Sequence, residues 1–254
     1  MARAVFRFYE ELNDFLAPER RKVAFEHVFS RRASVKDMIE ALGVPHPEVE
    51  LILVNGESAG FGHIVRDGDR IAVYPVFESF DISEHLRVRE QPLRAVRFVL
   101  DTHLGTLARY LRLCGFDTLY RNDYRDDELA RISAGQHRTL LTRDRLLLKR
   151  RIVTHGYCVR CDHPPHQLAE IVHRFQLRGT IRPFTRCARC NGTLRDVAKD
   201  AIAHRLEPLT HRYYETFRMC SDCGRIYWRG SHVRRIEALI DDLPPSALPG
   251  NPAS

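Results

Sequence analysis

Near the start of the chain, apolar and polar residues alternate in two short runs, Val5-Phe6-Arg7-Phe8 and Val23-Ala24-Phe25-Glu26-His27-Val28-Phe29. A period of two, carried by β-branched and aromatic side chains, predicts two strands forming a first hairpin. The period then changes. Val35, Met38, Ile39 and Leu42 fall on one helical face, Ser34 and Asp37 have N-cap and N3 spacing, and Gly43 sits where a C′ glycine belongs. Pro45 and Pro47 end that helix. Residues 49–54 and 70–74 form two further strands, with turns at Asn55-Gly56 and Asp67-Gly68-Asp69. The predicted order is ββαββ, a small α+β unit.

A polar, patternless stretch from Ser79 to Gln91 marks a linker, after which strands and helices alternate. Strands are expected at 95–100, 116–120, 139–142 and near 157–159. Helices are expected from Leu104 to Gly115 (Leu107, Ala108 and Leu111 on one face), at 127–134, at 145–149 and at 167–175. Such alternation implies a parallel sheet flanked by helices, an α/β fold whose ligands bind outside the carboxyl ends of the strands.

Composition narrows the function. The 254 residues are 44% hydrophobic and 29% charged, and no charge-free run approaches the ~18–20 residues that span a bilayer, so no membrane role is expected. The first nine residues, with Arg3 and Arg7 among them, lack the unbroken apolar run of an export signal. Six of the seven cysteines lie in Cys-x-x-Cys pairs, which fits metal ligation in a reducing compartment, the cytoplasm by default. Charge is uneven: through Pro92 there are 12 basic and 16 acidic residues, and beyond it 28 basic and 17 acidic. A basic second part attracts polyanions, RNA foremost. All but four of the basic residues are arginine, so GC-rich codon usage is a competing source of that charge.

The strand-end rule selects carboxylates. Asp101 follows the first strand of the α/β part, Asp144 closely follows the strand 139–142, and Asp126-Asp127-Glu128 opens the helix between them. Carboxylates that converge repel one another unless a cation lies between them. Hard oxygen ligands select Mg²⁺ or Mn²⁺, which would activate a water and neutralise charge during phosphodiester hydrolysis. Arg109, Arg121, Arg125, Arg143 and Arg145 are the candidate phosphate contacts. The competing reading is capping alone, since aspartates are common at helix N-termini, and either Asp126 or Asp127 would be the cap.

Cys187, Cys190, Cys220 and Cys223 form two Cys-x-x-Cys pairs, with Asn191 and Gly224 placed for the tight turns after them. Four soft thiolates suit a closed, structural Zn²⁺ site; a redox dithiol is the alternative. The third pair, in Cys158-Val-Arg-Cys161-Asp-His163-Pro-Pro-His166, is too crowded to close one tetrahedron readily, and Cys114 is expected to be a buried helix residue. Arg186, Arg189, Arg195, Arg218, Arg225 and Arg229 with Tyr227 and Trp228 have the composition of an RNA surface or of core aromatics beneath a solvated rim; RNA contact is expected from the arginines and core packing for Trp228.

Two resemblances follow. Leu53-Val54-Asn55-Gly56-Glu57 and Asp67-Gly68-Asp69-Arg70-Ile71-Ala72-Val73-Tyr74-Pro75 resemble the ubiquitin-like β-grasp of the sulfur carriers of thiamine and molybdopterin synthesis. Those carriers end in a free diglycine. Here the chain continues through Val76-Phe77-Glu78-Ser79, so a module without chemistry that docks a partner or guides substrate is expected rather than sulfur transfer. Phe98-Val99-Leu100-Asp101, Leu104-Gly105-Thr106-Leu107-Ala108-Arg109-Tyr110-Leu111-Arg112 and Leu141-Thr142-Arg143-Asp144-Arg145 resemble the Mut-seven C-terminal RNase family, a PIN-like nuclease group whose bacterial members pair it with such an N-terminal unit. That resemblance implies Asp101, Asp126 and Asp144 as acidic metal-binding positions, with Asp123, Asp127 and Glu128 as candidates for a further acid. It also implies a zinc ribbon followed by a segment like Ile226-Tyr227-Trp228-Arg229-Gly230-Ser231-His232.

The expected organisation is a ubiquitin-like β-grasp domain at 1–80, a linker at 81–94, a PIN-like domain at 95–180, a four-cysteine zinc ribbon and the rest of the RNase domain at 181–240, and a proline-rich disordered tail at 241–254. The expected activity is metal-dependent RNA hydrolysis. The alternative is a non-catalytic RNA-binding or ribosome-associated module.

Overall fold

A computed structural model describes residues 1–75 and 96–230, with Ala238. The linker expected at 81–94, the tail expected at 241–254 and the runs Val76–Ser79 and Ser231-His232 lie outside the described residues.

The N-terminal elements are β1 (Ala2–Phe8), β2 (Phe25–Phe29), α1 (Val35–Ala41), β3 (Leu51–Val54), β4 (Glu57–Ala59) and β5 (Arg70–Tyr74). Next come β6 (Arg97–Leu100), α2 (Gly105–Leu113), β7 (Asp117–Leu119), α3 (Asp126–Gln136), β8 (Thr139–Thr142), α4 (Arg145–Leu148), β9 (Gly156–Cys158) and α5 (Pro164–Arg174). The last stretch holds β10 (Leu194–Val197), α6 (Lys199–Ile202), α7 (Pro208–Tyr213), β11 (Phe217–Cys220) and β12 (Ile226–Trp228). The described residues fall into two compact units that interleave along the chain, 1–75 with 125–158 and 96–124 with 159–230.

In the first unit the N-terminal strands form one sheet in the order β2-β1-β5-β3-β4, with β1 and β5 parallel and the other neighbours antiparallel. Alternation along the strands buries Phe6, Phe8, Ile52, Val54, Ile71 and Val73 on one face, where Val35, Met38 and Ile39 of α1 are also buried. The expected capping box forms: Ser34 Oγ accepts from Asp37 N at 3.1 Å, and Asp37 Oδ2 accepts from Ser34 N at 3.3 Å. Asn55 (φ 54°) and Gly56 (φ 90°) both adopt the left-handed conformation of a two-residue hairpin turn, which joins β3 to β4. The short strand β4 was not expected from sequence, because its three residues, Glu-Ser-Ala, carry no β-rich signal.

In the same unit β8 and β9 pair in parallel, Leu141 opposite Tyr157, with all four β8 residues buried. Glu48, fully buried after a 3-10 turn at His46–Glu48, accepts a hydrogen bond from the backbone N–H of Cys158. Lys149 Nζ donates to Glu40 O at 2.7 Å, and Arg145 lies over the Phe15 ring at 4.8 Å. These contacts seat α4 and β9 on the β-grasp part.

In the second unit β6 and β7 pair in parallel, and α5 packs against α2. Phe98 meets Phe116 and Phe175 edge to face, at centroid distances of 6.2 and 5.7 Å. Helix α5 starts at Pro164, earlier than the expected 167, because Pro164 and Pro165 occupy its first turn, where a missing N–H costs nothing. Cys114 is fully buried after α2, and burial pushes its thiol up to about 12. Strands β10, β11 and β12 form an antiparallel ribbon.

Candidate functional site

Each Cys-x-x-Cys pair is a tight loop beside a ribbon strand. Cys187 and Cys190 precede β10, and Cys220 closes β11 with Cys223 after it. Asn191 (φ 72°) and Gly224 (φ 67°) take the left-handed conformation at the residue after each pair, as the sequence suggested. Gly192 allows the two loops to approach: a Cβ there would lie 2.8 Å from Cys220 Sγ. All four Sγ atoms lie within 4.8 Å of one another, with 3.6 Å between Cys187 and Cys223 and 3.4 Å between Cys190 and Cys220. Thiolates ~2.3 Å from a tetrahedral zinc stand about 3.8 Å apart, so the donor set fits such an ion and leaves no open position for water.

The electrostatics agree with that fit. Burial would raise the Cys187 thiol, but hydrogen bonds from Tyr227 Oη, 3.0 Å away, and from the backbone N–H groups of Cys190 and Arg189 outweigh it and bring it to about 6. Burial, together with the neighbouring thiols, pushes Cys190 up to about 12, and burial raises Cys220 as well. Four thiolates therefore need a cation to ionise together. The sequence left Tyr227 open between an RNA surface and core packing; its hydroxyl meets the Cys187 sulfur, a contact no local pattern marked.

The first loop is anchored to β7 within the same unit. Asn191, only 7% exposed, accepts from Thr118 N at 2.9 Å and donates to Asp117 Oδ1 at 2.8 Å. Arg112 of α2, also buried, donates from Nη1 to Arg189 O at 2.8 Å and from Nε to Thr118 O at 2.9 Å. Asn191→Ala would strand the Thr118 N–H and force a Cβ-bearing residue without local hydrogen bonds into the left-handed region. A loss of about 3 kcal/mol is expected in urea unfolding, and about 1 kcal/mol less for Asn191→Gly, which removes only the strain.

The predicted acids stand where the strand-end rule put them. Asp101 directly follows β6; it is 8% exposed, its Oδ1 accepts from Thr102 N at 2.6 Å, and its Oδ2 lies 3.4 Å from His103 Nδ1. Asp144 follows β8 and caps α4, its Oδ1 accepting from Leu146 N at 2.7 Å. Asp126 opens α3 half-exposed, 3.5 Å from Arg150 Nη2. Neither Asp126 nor Asp127 caps α3. Arg125 occupies the N-cap position without a side-chain bond, and both aspartates lie in the first turn with Glu128. His103 beside Asp101 was not singled out from sequence, although a histidine two residues past a strand-end aspartate was visible there.

Two of the accessory acids, Asp123 and Asp127, are paired locally. Arg121 grips Asp123 through two bonds of 2.9 and 2.8 Å and holds its carboxyl below the usual range. A hydrogen bond from Arg131 Nη2 at 2.8 Å does the same for Asp127, which Arg125 also approaches. Of the arginines expected at phosphate, Arg121 and Arg125 make these pairs, Arg145 covers Phe15, and Arg109 and Arg143 are exposed on α2 and after β8. In the Cys158–His166 segment, Glu170 accepts from Arg160 N at 2.8 Å and Cys161 N at 2.9 Å, and burial together with that carboxylate pushes the Cys161 thiol up to about 12. Among the described residues these groups do not join any metal-ligand cluster of three or more. Trp228 is half-buried beside the rings of Tyr214 and Phe217, less enclosed than the core position expected of it. Among the described residues no helix is long and apolar enough to cross a membrane.

Comparison with known proteins gives two family matches. Residues 96–240 match the Mut7-C RNAse domain, and residues 1–81 match the Mut7-C ubiquitin domain. No curated protein matches. The crystal structure of SAMP1 from Haloferax volcanii is similar at 19% identity over 31% of this chain and 100% of that one, with a TM-score of 0.25.

Proposed function

The chain belongs to the Mut7-C RNAse domain family, and on that premise we propose that it is a metal-dependent ribonuclease that hydrolyses RNA phosphodiester bonds. The observation that carries the reading is the family match over more than half of the chain, on a segment holding Asp101, Asp126 and Asp144. Two of these carboxylates sit at the carboxyl ends of parallel strands, where α/β folds gather ligand-binding groups. Their oxygens are hard donors suited to Mg²⁺ or Mn²⁺, which when bound would lower the pKa of water and offset phosphate charge. The backbone N–H groups of Thr102 and Leu146 fix the carboxylates in place. Asp123, Asp127 and Glu128 are the reserve acids, and Arg109, Arg121, Arg125, Arg143 and Arg145 the proposed phosphate contacts. The four-cysteine site holds a structural zinc in this reading, and the ribbon around it adds arginines to the RNA surface.

The same caps favour a second reading. Asp101 and Asp144 each satisfy a helix N-terminus, which is reason enough for an aspartate in a non-catalytic RNA-binding or ribosome-associated module. End-labelled single-stranded and structured RNA separate the two. Cleavage with Mn²⁺ or Mg²⁺ that stops in EDTA is expected. Tight RNA binding without cleavage in either metal would establish the second reading.

A further inference from the structure

The outward face of the N-terminal sheet carries a feature that neither the nuclease reading nor the zinc site uses. Alternation that buries Phe6, Phe8, Ile71 and Val73 leaves Val5 and Arg7 of β1, Arg70 and Ala72 of β5 and Leu53 of β3 on the opposite side. Register brings them together: Val5 pairs with Arg70, and Ala72 lies between Arg7 and Leu53. They line a depression of about 440 Å³, in which the aliphatic Val5, Leu53 and Ala72 stand beside Arg7 and Arg70. Val28 of β2, cross-strand from Arg3, is 48% exposed at the same face.

Two further observations define the occupant. The chain through Pro92 is acidic on balance, yet among the described residues Arg7 and Arg70 have no carboxylate partner. Cations without a carboxylate partner among the described residues, beside an apolar floor, call for an anion attached to an aliphatic group. A stacked nucleotide fits this lining less well than an acidic aliphatic segment. Tyr9, the aromatic ring of the lining, stacks on Tyr74, at 4.2 Å and 12° between planes, and Arg7 lies over it, at 5.0 Å. A base would have to compete with both neighbours for that ring.

We infer that this sheet face docks a partner protein through a short segment that combines aliphatic side chains with Asp or Glu. The aliphatic side chain fills the floor over Val5, Leu53 and Ala72, and the flanking carboxylates meet Arg7 and Arg70.

The test uses the full-length protein and fluorescent hexapeptides with a central Leu-Val flanked either by Asp and Glu or by Lys and Arg. Saturable binding of the acidic peptide is expected, weakened at least ten-fold in the Arg7→Glu/Arg70→Glu double variant, which in turn gains affinity for the basic peptide. That gain requires a folded protein, so it separates a lost charge from a lost fold. Failure to saturate, or equal binding by wild type and the double variant, overturns the inference. So does competition for this face by oligouridylate, or self-association of wild type that the double variant abolishes. Asp144→Asn should leave peptide binding unchanged and the double variant should keep RNA cleavage within two-fold, so failure of the docking surface and failure of the nuclease reading are told apart.

Discussion

Cys220→Ser should release the metal and unfold the ribbon. The four sulfurs lie within 4.8 Å of one another, and Cys187 and Cys220 are almost fully buried with Leu194, with Tyr227 packed against them. Apart from that cluster the ribbon has short strands of three or four residues, too few to be stable alone. A metal bound there would therefore supply most of its folding energy; zinc-finger peptides gain ~10–16 kcal/mol from one ion, of which a ribbon anchored by Asn191 and Arg112 needs a part. One zinc per chain by plasma mass spectrometry is expected for wild type and less than a tenth of that for Cys220→Ser. Amide exchange should rise across β10, β11 and β12 while β1 and β5 stay protected. A metal-free wild type with unchanged exchange in the ribbon would mean that the thiols are merely packed.

The second large effect is expected at Asp101 and Asp144, and the choice of substitution decides what is learned. Asparagine caps a helix about as well as aspartate, so Asp144→Asn can keep the bond from Leu146 N while losing the charge. Stability within about 0.5 kcal/mol of wild type is expected, with RNA cleavage at least about a hundred-fold slower, as follows from losing several kcal/mol of charge stabilisation. Asp144→Ala should lose the same activity and about 1 kcal/mol of stability as well. Asp101→Asn should behave as Asp144→Asn does, because its Oδ1 bond to Thr102 N is equally available to an amide oxygen. If both asparagine variants cut RNA at the wild-type rate, the aspartates are caps and nothing more.

Much of this architecture was legible in the sequence wherever a local rule applied. The strands 70–74 and 139–142 and the Ser34–Asp37 capping box fall where periodicity and capping chemistry put them, because each signal lies within a few residues. The two Cys-x-x-Cys pairs are 29 residues apart, yet ligand chemistry pairs them without any knowledge of the path between. Other features depended on distant partners. Glu48 is buried because it caps a strand 110 residues away, and no local pattern marks it. Asn191 was legible as a turn former but not as the clamp on β7, since its two bonds reach Asp117 and Thr118. The capping of α3 went the other way. Either Asp126 or Asp127 was expected as the cap, and the backbone instead placed Arg125 at that position and the acids in the first turn, where they still meet the positive end of the helix dipole.

The proposed chemistry depends on a hard metal ion in contact with the phosphate that is cut. An RNA carrying a phosphorothioate at the cleaved bond tests this directly, because sulfur binds Mg²⁺ poorly and Mn²⁺ better. Slow cleavage of that RNA in Mg²⁺, restored toward the unmodified rate by Mn²⁺ and absent from Asp144→Asn in either metal, is the predicted result. Equal cleavage of the two RNAs in both metals, or cleavage that persists in EDTA, would contradict a metal-dependent ribonuclease built on these aspartates.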